Sequence, residues 1–147
     1  MYNQTMLKNL EITTVTLDTV QRAVNILGEK IGASGYNLPT YGKSEDFARP
    51  HIEINARGYH YVVVERGNEI QRKTTHDIYE LLYWIFSHIT FNLAIEYERS
   101  HRIPSKDSRR LAFQKQEELL GILDEDWKRR EEARHNQILE IHPFIDK

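Results

Sequence analysis

An α+β fold is what the chain order predicts, and three observations carry that reading. The stretch Leu17–Ile31 places Leu17, Val20, Val24, Leu27 and Ile31 at helical spacing. Between His51 and Lys73 lie three short runs that alternate or are β-branched and aromatic, separated by turn residues. From Thr74 onward the pattern is helical almost to the end. One helix, three strands and three helices follow one another, so helices and strands are segregated rather than alternating.

Thr16 supplies an N-cap for the first helix and Gly32 a stop. Residues 37–50 contain Pro39, Gly42 and Pro50 and read as loop. In His51–Asn55, Ile52 and Ile54 alternate with polar neighbours; Tyr59–Arg66 is β-branched and aromatic; Glu69–Lys73 is mostly polar. Ala56-Arg57-Gly58 suits a three-residue hairpin with glycine in the left-handed position, and Gly67-Asn68 a two-residue one. A three-stranded antiparallel meander is therefore expected.

Thr74-Thr75-His76-Asp77 reads as a capping start. The helix behind it extends to about Arg102, roughly 40 Å at the usual rise per residue. Its charge-free run, Leu81–Ile95, falls short of the ~20 apolar residues that span a bilayer, so it predicts a buried helix. At about 100° per residue, Ile78, Leu82, Ile85, Ile89 and Leu93 form one stripe, with Phe86 beside it. Trp84 and Phe91 stand on the far side, near Glu80, Ser87 and Glu98, so the helix is expected to pack around most of its circumference. His88 reads as a core histidine bonded to a backbone carbonyl. Glu96 returns to the apolar stripe, where an unpaired carboxylate is costly. Arg109 and Arg110 open the next helix, which predicts a structural ion pair from Glu96 to one of them, unless the helix bends before Glu96 and leaves it in water.

Pro104 and Lys106-Asp107 end the central helix. A third helix covers Ser108–Leu123. Asp124 caps a fourth, Glu125–Ile141, with Asp126 in its first turn and Pro143 closing it.

The chain has 147 residues, which suits a single domain over 1–147. Cysteine is absent, which excludes disulfides, thiolate nucleophiles and cysteine-held zinc or iron–sulfur centres. Twenty basic residues against 22 acidic ones leave a net charge of −2, which disfavours a nucleic-acid binder. The start, Met1-Tyr2-Asn3-Gln4-Thr5-Met6-Leu7-Lys8, lacks the pattern of a secretory leader. A cytoplasmic protein without membrane contact is expected.

Known phosphate-loop, dinucleotide, zincin and nucleophile-elbow motifs are missing. Two Glu-x-x-His steps occur, Glu98…His101 and Glu132…His135. Paired steps of this kind hold metals in carboxylate-bridged helix bundles, but those sites need two further inward glutamates. Arg99, Arg102 and Arg134 flank the steps, so both are expected to be solvated. No catalytic residue, metal ligand or cofactor is assigned; a small metal-dependent enzyme stays open as an alternative.

Tyrosine is abundant. In the second strand Tyr59, Tyr61 and Val63 share one face, and His60, Val62 and Val64 the other. One face packs on the central helix; the other is bare or covered by the Tyr36–Tyr41 loop. A bare tyrosine pair beside Glu65 would suit a protein partner. The acidic run Glu117, Glu118 and Asp124–Asp126 and the basic run Lys128-Arg129-Arg130 read as solvated faces.

Within the helical half, Glu80-Leu81-Leu82-Tyr83-Trp84-Ile85-Phe86, Thr90-Phe91, Ala94 and Glu96-Tyr97-Glu98 recur in a recognisable order. They are followed by Arg109-Arg110, Phe113, Lys115-Gln116, Glu118-Leu119-Leu120 and Trp127. This run, from Asp77 to Trp127, resembles the immunity protein 63 family of bacterial polymorphic toxin systems. The resemblance implies a non-enzymatic cytosolic antidote that binds a cognate secreted toxin domain, as a monomer or weak dimer. It carries over no catalytic residue, and Trp84, Phe91 and Phe113 transfer only as core. Tyr59, Tyr61, Glu65, Tyr83 and Glu98 are the expected partner contacts. An adaptor of an unrelated cytosolic protein is the non-enzymatic alternative.

Overall fold

A computed structural model describes residues 4–147, with five helices and a four-stranded mixed sheet. Contacts divide the chain into two compact units, one ending at Ile85 and one beginning at Phe86. The α+β expectation holds.

The first unit opens with a short helix α1, Gln4–Asn9, and α2, Leu17–Lys30. Helix α2 starts where the sequence places it. Thr16 and Thr19 cap each other reciprocally, the Thr16 hydroxyl accepting from Thr19 N–H and the Thr19 hydroxyl from Thr16 N–H. Its stripe Val20, Ala23, Val24 and Leu27 is buried. The strands are β1 (Thr40–Tyr41), β2 (His51–Asn55), β3 (Gly58–Glu65) and β4 (Asn68–Thr75), in that spatial order.

The expected three-stranded antiparallel meander is thus corrected. β2, β3 and β4 do pair antiparallel, but β1 adds a fourth strand parallel to β2. Thr40 N–H donates to Pro50 O (3.0 Å) and Gly42 N–H to Ile52 O (2.7 Å). A two-residue strand between Pro39 and Gly42 has no period to read, so it passes for loop. Both hairpins also differ from expectation, the first loop being one residue shorter and the second falling one residue earlier. Asn55 pairs with Gly58 across Ala56-Arg57, and Glu65 with Asn68 across Arg66-Gly67. Arg66 and Gly67 both have positive φ (54° and 77°), the conformation that a two-residue turn matched to strand twist requires.

β4 carries an irregularity that no alternation would reveal. Val63 pairs with Gln71 and Val64 with Glu69, leaving Ile70 as the extra residue of a bulge. In a regular strand, positions 69 and 72 point to opposite faces. The bulge turns them to the same side, where Arg72 grips Glu69 (2.8 and 3.1 Å) and reaches Glu53 (3.0 Å). Glu53 also bonds His51 Nε2 at 2.7 Å. Burial pushes the Glu53 carboxyl up, but Arg72 and His51 together hold it below its ordinary value.

Helix α3, Ile78–Ser100, begins in the first unit. The Asp77 carboxylate accepts from Tyr79 N–H (2.9 Å), confirming the capping start. One window of α3 is long and apolar enough to cross a membrane by length and composition, and 56% of it is buried inside the fold.

The second unit holds the rest of α3, then α4 (Ser108–Leu123) and α5 (Glu125–Ile141). Asp124 serves twice, once as the expected cap of α5 and once, unexpectedly, as the close of α4. Its N–H closes α4 on Leu120 O (2.8 Å), and its carboxylate opens α5 by accepting from Asp126 and Trp127 N–H (2.8 and 3.1 Å). Trp127 stacks on Phe86, with ring centroids 6.1 Å apart, and Ile89, Leu119 and Leu120 are buried in the same unit.

The C-terminal segment is fastened to the start of α4 by two aspartates. The Asp107 carboxylate accepts from Arg109 Nη2 (2.8 Å), Arg109 N–H (2.9 Å) and Ile145 N–H (2.9 Å). Asp146 returns the contact, accepting from Asp107 N–H (2.8 Å) and Arg110 Nε (3.0 Å), while Phe144 lies 4.2 Å under the Arg110 guanidinium. The Arg109 side chain, then the Ile145 and Arg109 amides, hold the Asp107 carboxyl far below its usual range; Arg110 lowers Asp146. Carboxyls depressed on folding stabilise above their unfolded pKa of about 4, and that contribution fades as pH falls below it. Protection of the Ile145 amide, corrected for intrinsic exchange, should therefore drop between about pH 5 and about pH 2 while the α4 interior stays protected. Equal loss at both places would refute the clamp.

Candidate protein-binding surface

Tyr61 is only 4% exposed, and the Lys73 ammonium lies 5.2 Å from its ring and 4.9 Å from that of Trp84. Tyr83 is buried as well. Both are core in this fold, which corrects their reading as surface anchors. Tyr59 is half-buried opposite Ile54, and Glu65 is exposed at the end of β3. Glu98 is buried and gripped by Arg102 Nη2 (2.8 Å) and Nε (3.0 Å), so its carboxyl sits below its ordinary value. These five residues do not form one patch.

The expected Glu96 bridge is also corrected. Glu96 is exposed, while Arg109 bonds Asp107 and the carbonyls of His142 and Pro143, and Arg110 bonds Asp146. The acid that α3 buries and pairs is Glu98. Phe91, expected in the core, is exposed, and His88 is half-buried, receiving a bond from the Asn92 amide (3.2 Å).

Neither Glu-x-x-His step is fully solvated: Glu98 is the buried member of the first and His135 of the second. His135 is buried: its Nδ1 meets Glu117 Oε2 (2.6 Å), its Nε2 meets Gln116 Oε1 (3.1 Å), and its ring stacks on Phe113 at 3.9 Å. Beside it, fully buried Glu131 accepts from Ser87 Oγ (2.9 Å), Gln116 Nε2 (3.0 Å) and Arg134 Nε. The partner of His135 is Glu117 on α4, not Glu132 in its own step. Every acceptor on Glu131 has a donor, so the network reads as a lock between helices rather than a reaction centre. Among the described residues no group of three or more histidines and acids could hold a metal ion.

A cleft of about 420 Å³ in the second unit has an apolar floor of Ile103, Leu111 and Phe144. Of its charged lining, Arg110 and Lys106 pair with Asp146, Glu98 with Arg102 and Asp107 with Arg109.

The feature that sequence reasoning passed over lies between β1 and β2. Asp46, Phe47 and Ala48 stand in succession at φ 61°, 55° and 61°, a left-handed run without glycine. Each such residue costs about 1–2 kcal/mol. The loop is held there on all sides. Asp46 N–H donates to Ser44 Oγ (2.9 Å), Ala48 N–H to Val64 O (2.9 Å), and Gly67 N–H to the Asp46 carboxylate (3.2 Å). Arg49 ties the far side, donating to Leu38 O (3.0 Å) and Gly35 O (3.1 Å), with its guanidinium 5.3 Å from the Tyr36 ring. Phe47 and Tyr36 are each 85% exposed. A single phenylalanine in a polar, proline-bounded loop was the only signal available, and it says nothing about backbone strain.

No curated protein and no solved structure matches the chain. The family model described as Immunity protein 63 matches residues 55–137, more than half of the sequence. That span runs from the end of β2 into α5, and so takes in both hairpin strands and the helical network around Glu131. By this match the chain belongs to the immunity protein 63 family.

Proposed function

We propose that the chain is a cytosolic, non-enzymatic antidote that binds a cognate secreted toxin domain and silences it in a tight complex. Family membership carries this reading. The exposed aromatics at Tyr36 and Phe47 are consistent with a protein partner, since aromatic side chains concentrate in interface centres. Nuclease–immunity pairs reach dissociation constants near 10⁻¹³ M or below, roughly the strength such an antidote needs. A net charge of −2 does not single out a basic nuclease as the target, so the toxin's chemistry is left to experiment.

The test is co-expression of the toxin domain encoded beside this gene, with and without the chain. Cells should survive only when the chain is present. Survival in its absence would end the antidote reading.

A further inference from the structure

The geometry points to Phe47 as the anchor of the toxin contact, a ring held out by a strained loop and seated in an apolar pocket of the toxin domain. This rests on the antidote reading and names the part of the surface that performs it.

Four observations converge on this ring. The first is strain. Three successive left-handed residues persist only because Val64 O, Gly67 N–H and Ser44 Oγ over-determine the loop, and such outliers gather where function needs a fixed shape. The second is exposure: a phenyl ring left 85% in water gives nothing to this chain's own folding. The third is preorganisation. A loop already locked loses little freedom on binding, so the apolar gain is kept as affinity. The fourth is charge. Lys43 and Glu45, exposed and of opposite sign, precede the ring in the same loop, while Asp46 and Arg49 are tied to Gly67 N–H and to backbone carbonyls, so the complementary site is an apolar pocket with a mixed rim, not a phosphate channel.

Other modes of recognition are less well served. Strand addition to β4 meets the Ile70 bulge and the paired charges of Glu69 and Arg72, devices that blunt an edge. Phe91 is exposed too, but on a regular helix with no strain. A projecting ring needs a concave receiver, and enzyme clefts are the concave, largely apolar sites of proteins. The loop lies outside residues 55–137, so the case for it rests on its own geometry and not on the family match.

The experiment titrates the neighbouring-gene toxin domain with the full chain, as wild type, Phe47→Ala and Phe91→Ala. Phe47→Ala should weaken binding at least about 30-fold, chiefly through faster dissociation, at an unchanged melting temperature. Phe91→Ala should stay within about threefold. A photo-crosslinking phenylalanine installed at position 47 should capture the toxin domain, a readout that a merely structural effect would not give. If the wild type binds and Phe47→Ala binds equally well, or position 47 captures nothing, the anchor is wrong while the antidote stands. If the wild type does not bind, both fall.

Discussion

Replacing Glu131 with leucine should lower the melting temperature by about 10 °C, a loss of about 3 kcal/mol. Glu131 is fully buried and is the common acceptor for Ser87 Oγ, Gln116 Nε2 and Arg134 Nε. Leucine fills a similar space but leaves the buried donors facing hydrocarbon. Removing one member of a buried polar set is costly because its partners stay behind. Arg134 is half in water and can turn outward, which keeps the loss from being larger. Glutamine provides the contrast. It still offers an oxygen to Ser87 and Gln116 and misplaces only the group facing Arg134, so about 1 kcal/mol is expected. Denaturant unfolding of both variants reads the difference directly. A leucine variant as stable as the wild type would show that the three-helix network contributes no net stability.

Gly58→Ala should cost about as much by a different route. Gly58 has φ +130°, and an added Cβ would stand 2.7 Å from Thr75 O, a backbone atom that cannot swing aside. Opening that contact means parting β3 from the last residue of β4, just before α3 begins. Backbone strain of this kind costs about 1–3 kcal/mol before the clash is counted, so a total near 3 kcal/mol is expected. Gly35→Ala is the control. Its φ is also positive, at +54°, but nothing lies within 4 Å of its added Cβ, so about 1 kcal/mol should be lost. Equal midpoints for the two variants would mean that the close approach at Gly58 does not constrain the sheet.

What the sequence made legible depended on whether a residue declares itself locally. Thr16 and Asp124 fix helix starts through side-chain oxygens aimed at nearby amides, and those caps were readable; Asp107, read only as a helix break, caps α4 in the same way. Helix α1 and strand β1 are too short to show a period. The bulge at Ile70 breaks alternation in a strand already polar, so nothing marked it. Angular placement misjudged Glu96 and Glu98 because α3 is apolar around most of its girth, and an angle then no longer tells inside from outside. The tyrosines of β3 misled for a related reason. Lys73 is the cross-strand partner of Tyr61 and lies over its ring, a pairing set by the shifted turn and the register of β4 and not by spacing within β3. The candidate surface itself was hidden because φ is not written in composition.

The stacking of Phe86 on Trp127 and the cover that Lys73 lends Trp84 give the molecule a built-in pair of optical reporters. The chain has two indoles, and one belongs to each compact unit. With either replaced by phenylalanine, the emission of the survivor follows the melting of its own half, so coincident curves mark one cooperative body and separated curves mark two.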